Sequence, residues 1–224
     1  MTGLTTLIRL CPPPRPALRI AWQPVESALG MALPADYKRL AELYGPGVFC
    51  EFVHVYHPHG VTPFVNLTGP MPARIRADLR NDVAEGVFPV PHDPDRLFAV
   101  GGTGNGERIF WITDPVDEPD RWHIAVNEAR GPRWFTFGGS LTEFLGSVFT
   151  GRTSVPQFPR GLLDEAPGFT RSRPVLWKPV LFAESPAPVD TASIRAWGRA
   201  NGYDVPARGR VPGEIRRAWE QAVS

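Results

Sequence analysis

The chain has 224 residues, enough for one medium domain or a domain with a small appendage. With 42% hydrophobic and 21% charged residues it can bury a real core, which excludes wholesale disorder. A formal net charge of +1, two cysteines and no apolar run near the roughly 20 residues of a membrane span exclude a disulfide scaffold and a transmembrane helix.

The N-terminus lacks a secretory pattern, so a soluble cytoplasmic protein with no membrane partner is expected. Only Lys38 and Lys178 are lysines among 24 basic residues, and Pro and Gly number 26 and 22. Arg, Ala, Gly and Pro have GC-rich codons, which points to a GC-rich bacterial genome. Charge is also uneven. Val189 to Ser224 carries six Arg against four acids, whereas the first 188 residues sum to −1. Such skew gives the C-terminal end its own expected partner.

Residues 1–17 contain Cys11-Pro-Pro-Pro-Arg-Pro16 and read as an extended lead-in. Trp22 to Gly30 reads as a helix with Pro24 in its first turn and Gly30 as its stop. A second helix is expected from Pro34 to Tyr44, where Tyr37, Leu40, Ala41 and Tyr44 recur at i, i+3, i+4, i+7. Gly45-Pro46-Gly47 ends it.

Strands are expected at Val48–Tyr56, Leu97–Val100, Arg108–Thr113, His123–Val126 and Arg133–Phe137, all rich in aromatic and β-branched residues. Gly101 to Gly106 is a turn-rich hairpin connection. Ser140-Leu-Thr-Glu143 is a capping box before a helix striped by Leu141, Phe144, Leu145 and Val148. Helices, then a strand meander, then a helix argue for α+β with an antiparallel sheet. Val155 to Asp190 holds seven prolines and reads as an extended tail on the main domain, with Ala183 to Pro188 as its flexible part.

Asp190-Thr191 then caps a short helix, Ile194 to Gly202, and Val211 to Ala222 forms a second with Pro212 suited to the first helical position. Ile194 and Trp197 on one can meet Ile215, Ala218, Trp219 and Ala222 on the other. Between them lies Arg208-Gly209-Arg210. A glycine between two arginines permits a flat backbone with both guanidiniums pointing one way, a shape suited to a narrow minor groove.

The stretch Ile194-Arg-Ala-Trp, Asn201-Gly-Tyr, Arg208-Gly-Arg-Val-Pro212, Ile215 and Ala218-Trp219 resembles the DNA-binding domain of the Lsr family. These are actinobacterial nucleoid-associated proteins that silence AT-rich foreign DNA in the manner of H-NS. The resemblance covers about the last 31 residues. It implies double-stranded AT-rich DNA as partner, with Arg208, Gly209 and Arg210 as the groove-inserting hook and Arg195 and Arg199 beside it. Pro206-Ala207, Gly198 and Trp219 depart from the family pattern. The N-terminal oligomerisation domain of that family is absent, so bridging and global silencing do not follow from the resemblance.

Trp22, Glu26, Gly30, Pro34, Asp36-Tyr37-Lys38, Tyr44-Gly45 and Gly47 form a second constellation. With Gly101 to Gly106, Gly131-Pro-Arg-Trp134 and Phe144-Leu145, it resembles the SUKH superfamily of SMI/KNR proteins over roughly Ala17 to Val155. That resemblance implies a non-enzymatic protein-binding domain, a role many bacterial members play as immunity proteins against secreted toxins.

The expected organisation is therefore a lead-in at 1–17, a SUKH-like domain at 18–155, a Pro-rich tail at 156–190 and an Lsr-like module at 191–224. The expected function is nucleoid-associated DNA binding coupled to a protein partner (a toxin, a regulator or a second copy). The alternative is an immunity protein with an accessory DNA-binding tail.

Other constellations carry less. Cys50, His54, His57 and His59 sit near one another but lack a second ligand cluster, so no metal is expected. Gly102, Gly104 and Gly106 precede a strand where a dinucleotide fingerprint needs a helix, so no cofactor is expected. Asp114, Asp117, Glu118 and Asp120 read as a solvated loop. No nucleophile set has supporting motifs, and no catalytic residue is expected.

Overall fold

A computed structural model describes residues 3–173, 191–203, 205 and 211–223. The chain divides into two compact units, Met1–Val175 and Leu176–Ser224. The larger is α+β, as its order of elements predicts. Its helices are α1 (Gly3–Leu10), α2 (Trp22–Leu29), α3 (Ala35–Tyr44), α4 (Pro70–Glu85) and α5 (Leu141–Phe149). Its strands are β1 (Gly47–Phe49), β2 (Val53–Val55), β3 (Leu97–Thr103), β4 (Arg108–Ile112), β5 (His123–Asn127), β6 (Trp134–Phe137) and β7 (Phe169–Arg171). All seven join one antiparallel sheet in the order β6-β5-β4-β3-β2-β1-β7.

The helices with strong local signals form where expected. Gly30 closes α2 in the left-handed region, φ 68°, its N–H reaching the carbonyls of Glu26 and Ser27. The buried face of α3 is Tyr37, Leu40, Ala41 and Tyr44. Both tyrosine hydroxyls find acceptors, Tyr37 at the carbonyl of Tyr56 (2.8 Å) and Tyr44 at that of Cys11 (2.7 Å). The capping box at Ser140 and Glu143 is complete in both directions. Asp36 at the start of α3 also accepts the Thr142 N–H at 2.9 Å, fixing the start of α5.

Three expectations are corrected, and one further helix was not anticipated. Residues 3–10 are not an extended lead-in; they form α1, which buries Leu7 fully and leads into the buried Cys11. Gly3 makes that packing possible, since a Cβ there would lie 2.3 Å from the backbone nitrogen of Glu143 on α5. The run from Val48 to Tyr56 is two strands rather than one, reversing at Cys50 and Glu51. Both residues have positive φ (50° and 51°), and the Phe52 N–H returns to the Phe49 carbonyl at 2.9 Å. Gly101 and Gly102 belong to β3 instead of the turn after it. A Cβ on Gly101 would stand 2.7 Å from the His54 carbonyl on β2, so the glycine lets the two strands pair. The further helix is α4, at 16 residues the longest among the described residues, in a segment where no element was expected. It buries only Pro72, Ile75 and Leu79, while the Arg76 guanidinium lies 5.9 Å over the Phe98 ring.

The Pro-rich tail lies on the large unit through residue 173, as β7 pairing with β1. Phe169 packs there on Tyr44 (5.0 Å) and Phe49 (4.7 Å). The expected flexible stretch, 183–188, lies outside the described residues.

His57 gives this unit a pH dependence. It is 3% exposed, its Nε2 lies 3.2 Å from the Ala41 carbonyl, and its Nδ1 accepts the His59 N–H at 2.9 Å. That pairing needs the neutral ring, and burial lowers the pKa from 6.5 to about 4. Between those values the unfolded chain binds the extra proton, so stability is full above pH 6.5 and falls as pH drops toward 4. The loss from this one group is roughly 3 kcal/mol. His54 and His92 shift the same way, by burial. Urea unfolding at pH 7 and pH 4.5 measures the slope, and His57→Gln removes most of it.

Candidate nucleic-acid interface

The smaller unit contains α6 (Thr191–Ala200) and α7 (Gly213–Val223). Thr191 opens α6 as its first residue, and its expected capping partner Asp190 lies outside the described residues. The core holds Ile194 (0% exposed), Val205 (8%) and Ile215 (2%), with Val211 and Trp219 packed against them. The helical spacing anticipates Ile194, Ile215 and Trp219 on facing stripes. Trp197 and Ala222 depart from it: Ala222 is exposed, and Trp197 stacks on Tyr203 instead, with centroids 5.8 Å apart.

The turn after α6 is a Schellman cap. Gly202 sits in the left-handed region, φ 79°, its N–H reaching the Arg199 carbonyl at 3.2 Å. The Tyr203 N–H closes the outer bond to the Gly198 carbonyl at 2.9 Å. The Tyr203 ring then covers Trp197, the apolar contact that accompanies this motif. Asn201 adds a side-chain bond from Nδ2 to the Trp197 carbonyl at 2.9 Å. The Asn-Gly-aromatic order read from the sequence is thus the stop signal that sends the chain back to Val205.

Gly198 is buried on the inner face of α6. A Cβ there would meet Val205 Cγ2 at 2.8 Å and Ile215 Cγ2 at 3.1 Å. What helix propensity marks as a weak point is a close-packing position. At the start of α7 the Pro212 carbonyl accepts the Arg216 N–H at 3.2 Å, so Pro212 stands one residue before the first helical position expected for it.

Among the candidate DNA contacts, Arg195 and Arg199 both lie on α6, the first partly buried and the second exposed in the last turn. Arg208, Gly209 and Arg210 lie outside the described residues. The described positions on either side of them are anchored: Val205 is in the module's core and Val211 packs on it. Exposed Arg216 and Arg217 on α7 were not singled out from the sequence. Their signal was available, since core positions Ile215 and Trp219 leave residues 216 and 217 on other faces of the helix.

In the larger unit, both ring nitrogens of His57 are engaged within the protein. No group of three or more His, Cys, Asp or Glu that could hold a metal occurs among the described residues. The glycines of 102–106 end β3 and turn into β4. In the acidic loop, Asp120 accepts the Ala35 N–H at 2.6 Å and Glu118 pairs with Arg121 at 2.9 Å. Among the described residues no helix is long and apolar enough to cross a membrane.

The two packed helices with their capped reversal leave Arg199, Arg216 and Arg217 exposed. The family model of the Lsr2 DNA-binding domain matches residues 186–222, which supports a DNA-binding function for this end of the chain. Comparison with curated proteins and with solved structures gives no match.

Proposed function

We propose that the chain is a non-enzymatic DNA-binding protein whose C-terminal module inserts Arg208 and Arg210 into the minor groove of AT-rich duplex. The observation that carries this reading is the Lsr2-type match over 186–222, together with the anchoring of Val205 and Val211 on either side of the Arg-Gly-Arg loop. A narrow AT-rich groove concentrates negative potential and attracts arginine. Arg195 and Arg199 on α6 supply phosphate contacts beside the hook. The larger unit, whose sequence resembles the SUKH superfamily, recruits a protein partner, and the DNA-binding module holds the pair at the nucleoid.

Binding favours AT-rich over GC-rich duplex and is displaced by small minor-groove ligands, while major-groove methylation has little effect. With two to four phosphates neutralised, log K falls against log salt with a slope between about −2 and −4. Fluorescence anisotropy on both duplexes across a salt series is the test. Equal affinity for both throughout would reduce the module to a polycation.

A further inference from the structure

Cys11 and Cys50 are far apart in sequence, and the fold brings them together. Cys11 follows α1 and is fully buried. Its N–H bonds to the Leu7 carbonyl at 2.7 Å, and its own carbonyl takes the Tyr44 hydroxyl at 2.7 Å. Tyr44 in turn lies 5.0 Å from the ring of Phe49, the residue before Cys50. Cys50 opens the β1–β2 turn, with its N–H on the Gly168 carbonyl at 2.8 Å. The two thiols are near enough for each to shift the other's titration, and neither is in a disulfide.

Their surroundings differ in ways that assign roles. Cys50 is partly exposed and, with Glu51 and Phe52, lines an open cavity of about 600 Å³ bounded on its other side by Leu162, Asp164 and Glu165. Cys50 and Glu51 both hold positive φ, where two-residue hairpin turns ordinarily carry Asn-Gly, so this backbone is strained. The neighbouring Cys11 thiol holds the Cys50 pKa down at about 7. The same pairing, with burial, pushes Cys11 far up. The accessible sulfur is therefore the one that ionises first.

We propose that Cys50 and Cys11 form a thiol–disulfide site, with Cys50 at the cavity wall as the attacking thiol and Cys11 behind it as the resolving thiol. The oxidant is a hydroperoxide. The Cys50 sulfur attacks its distal oxygen; an S–O bond forms, the O–O bond breaks, and the alkoxide leaves as alcohol after taking a proton. Cys11 then attacks the Cys50 sulfur of the sulfenic acid. The S–S bond forms, the S–O bond breaks, and hydroxide leaves as water with the Cys11 proton. The two thiols lose two electrons and two protons, and the hydroperoxide is reduced to alcohol and water. The disulfide ties the end of α1 to the β1–β2 turn.

The test exposes the full chain to hydrogen peroxide under native conditions and maps its peptides by mass spectrometry. The expected product is a monomer lighter by about 2 Da, with residues 11 and 50 cross-linked and the mass restored by dithiothreitol. On the reduced chain, iodoacetamide labels Cys50 ahead of Cys11, with a rate midpoint near pH 7. In Cys11→Ser, and in Cys11→Ala should serine disturb the buried site, Cys50 accumulates sulfenic acid that dimedone traps. A native chain that keeps both thiols, cross-links only between chains, or labels at Cys11 first overturns the proposal.

Discussion

Replacing Arg208 and Arg210 together with alanine removes detectable binding to AT-rich duplex and leaves both units folded. Each arginine neutralises phosphate charge and reads groove width, at roughly 1–3 kcal/mol apiece. Losing both weakens binding by about 30-fold at the least. A single small module starts from modest affinity, because it covers on the order of 600–1,000 Å² or less of protein surface. That loss therefore carries it below detection. The double lysine variant separates charge from shape. It keeps the salt slope but loses preference for AT-rich sequence, since an ammonium lacks the flat guanidinium fork. Anisotropy titrations of the three proteins, with far-UV circular dichroism as the folding control, decide the matter. Unchanged affinity in the alanine variant would sink the hook.

The elements legible in the sequence are those with a strong local signal. Tyr37, Leu40, Ala41 and Tyr44 announce α3, Ser140 and Glu143 announce α5, and the aromatic strands β3 to β6 announce the meander. Where tertiary packing supplies the reason, local reading fails. The prolines after Cys11 masked α1, whose place depends on the close approach of Gly3 to α5. Charged residues masked α4, which needs only Pro72, Ile75 and Leu79 to dock. The β1–β2 reversal was invisible because its turn is Cys50-Glu51, with no glycine or asparagine to mark it. At the DNA-binding end the order of residues was informative and the energetics were not. The helix expected from Ile194 ends near Gly202 as read, but Gly198 stood only as a departure from the family pattern, although its missing Cβ is what lets α6 meet Val205 and Ile215.

Ile194→Ala unfolds the C-terminal module and abolishes DNA binding, while the larger unit melts as before. Ile194 is fully buried in a core whose other buried hydrophobics, among the described residues, are Val205 and Ile215. Truncating a buried isoleucine costs about 2–5 kcal/mol, and so small a core has little more than that in reserve. Glycine positions give the sharper comparison. Helix propensity alone makes Gly198→Ala stabilising by up to about 1 kcal/mol. Packing opposes it, because the new Cβ would stand 2.8 Å from Val205 Cγ2, and overpacking costs roughly 1–3 kcal/mol. The added methyl meets branched side chains held in the core rather than a flexible tip, so packing prevails and Gly198→Ala weakens DNA binding along with helicity. Gly213→Ala at the start of α7 is the control: nothing among the described residues lies within 4 Å of its Cβ, and it raises helicity and melting temperature. Far-UV melts and anisotropy on the three variants check the set. A Gly198→Ala module that melts higher than the parent would mean that α6 does not pack on Val205 and Ile215 as described.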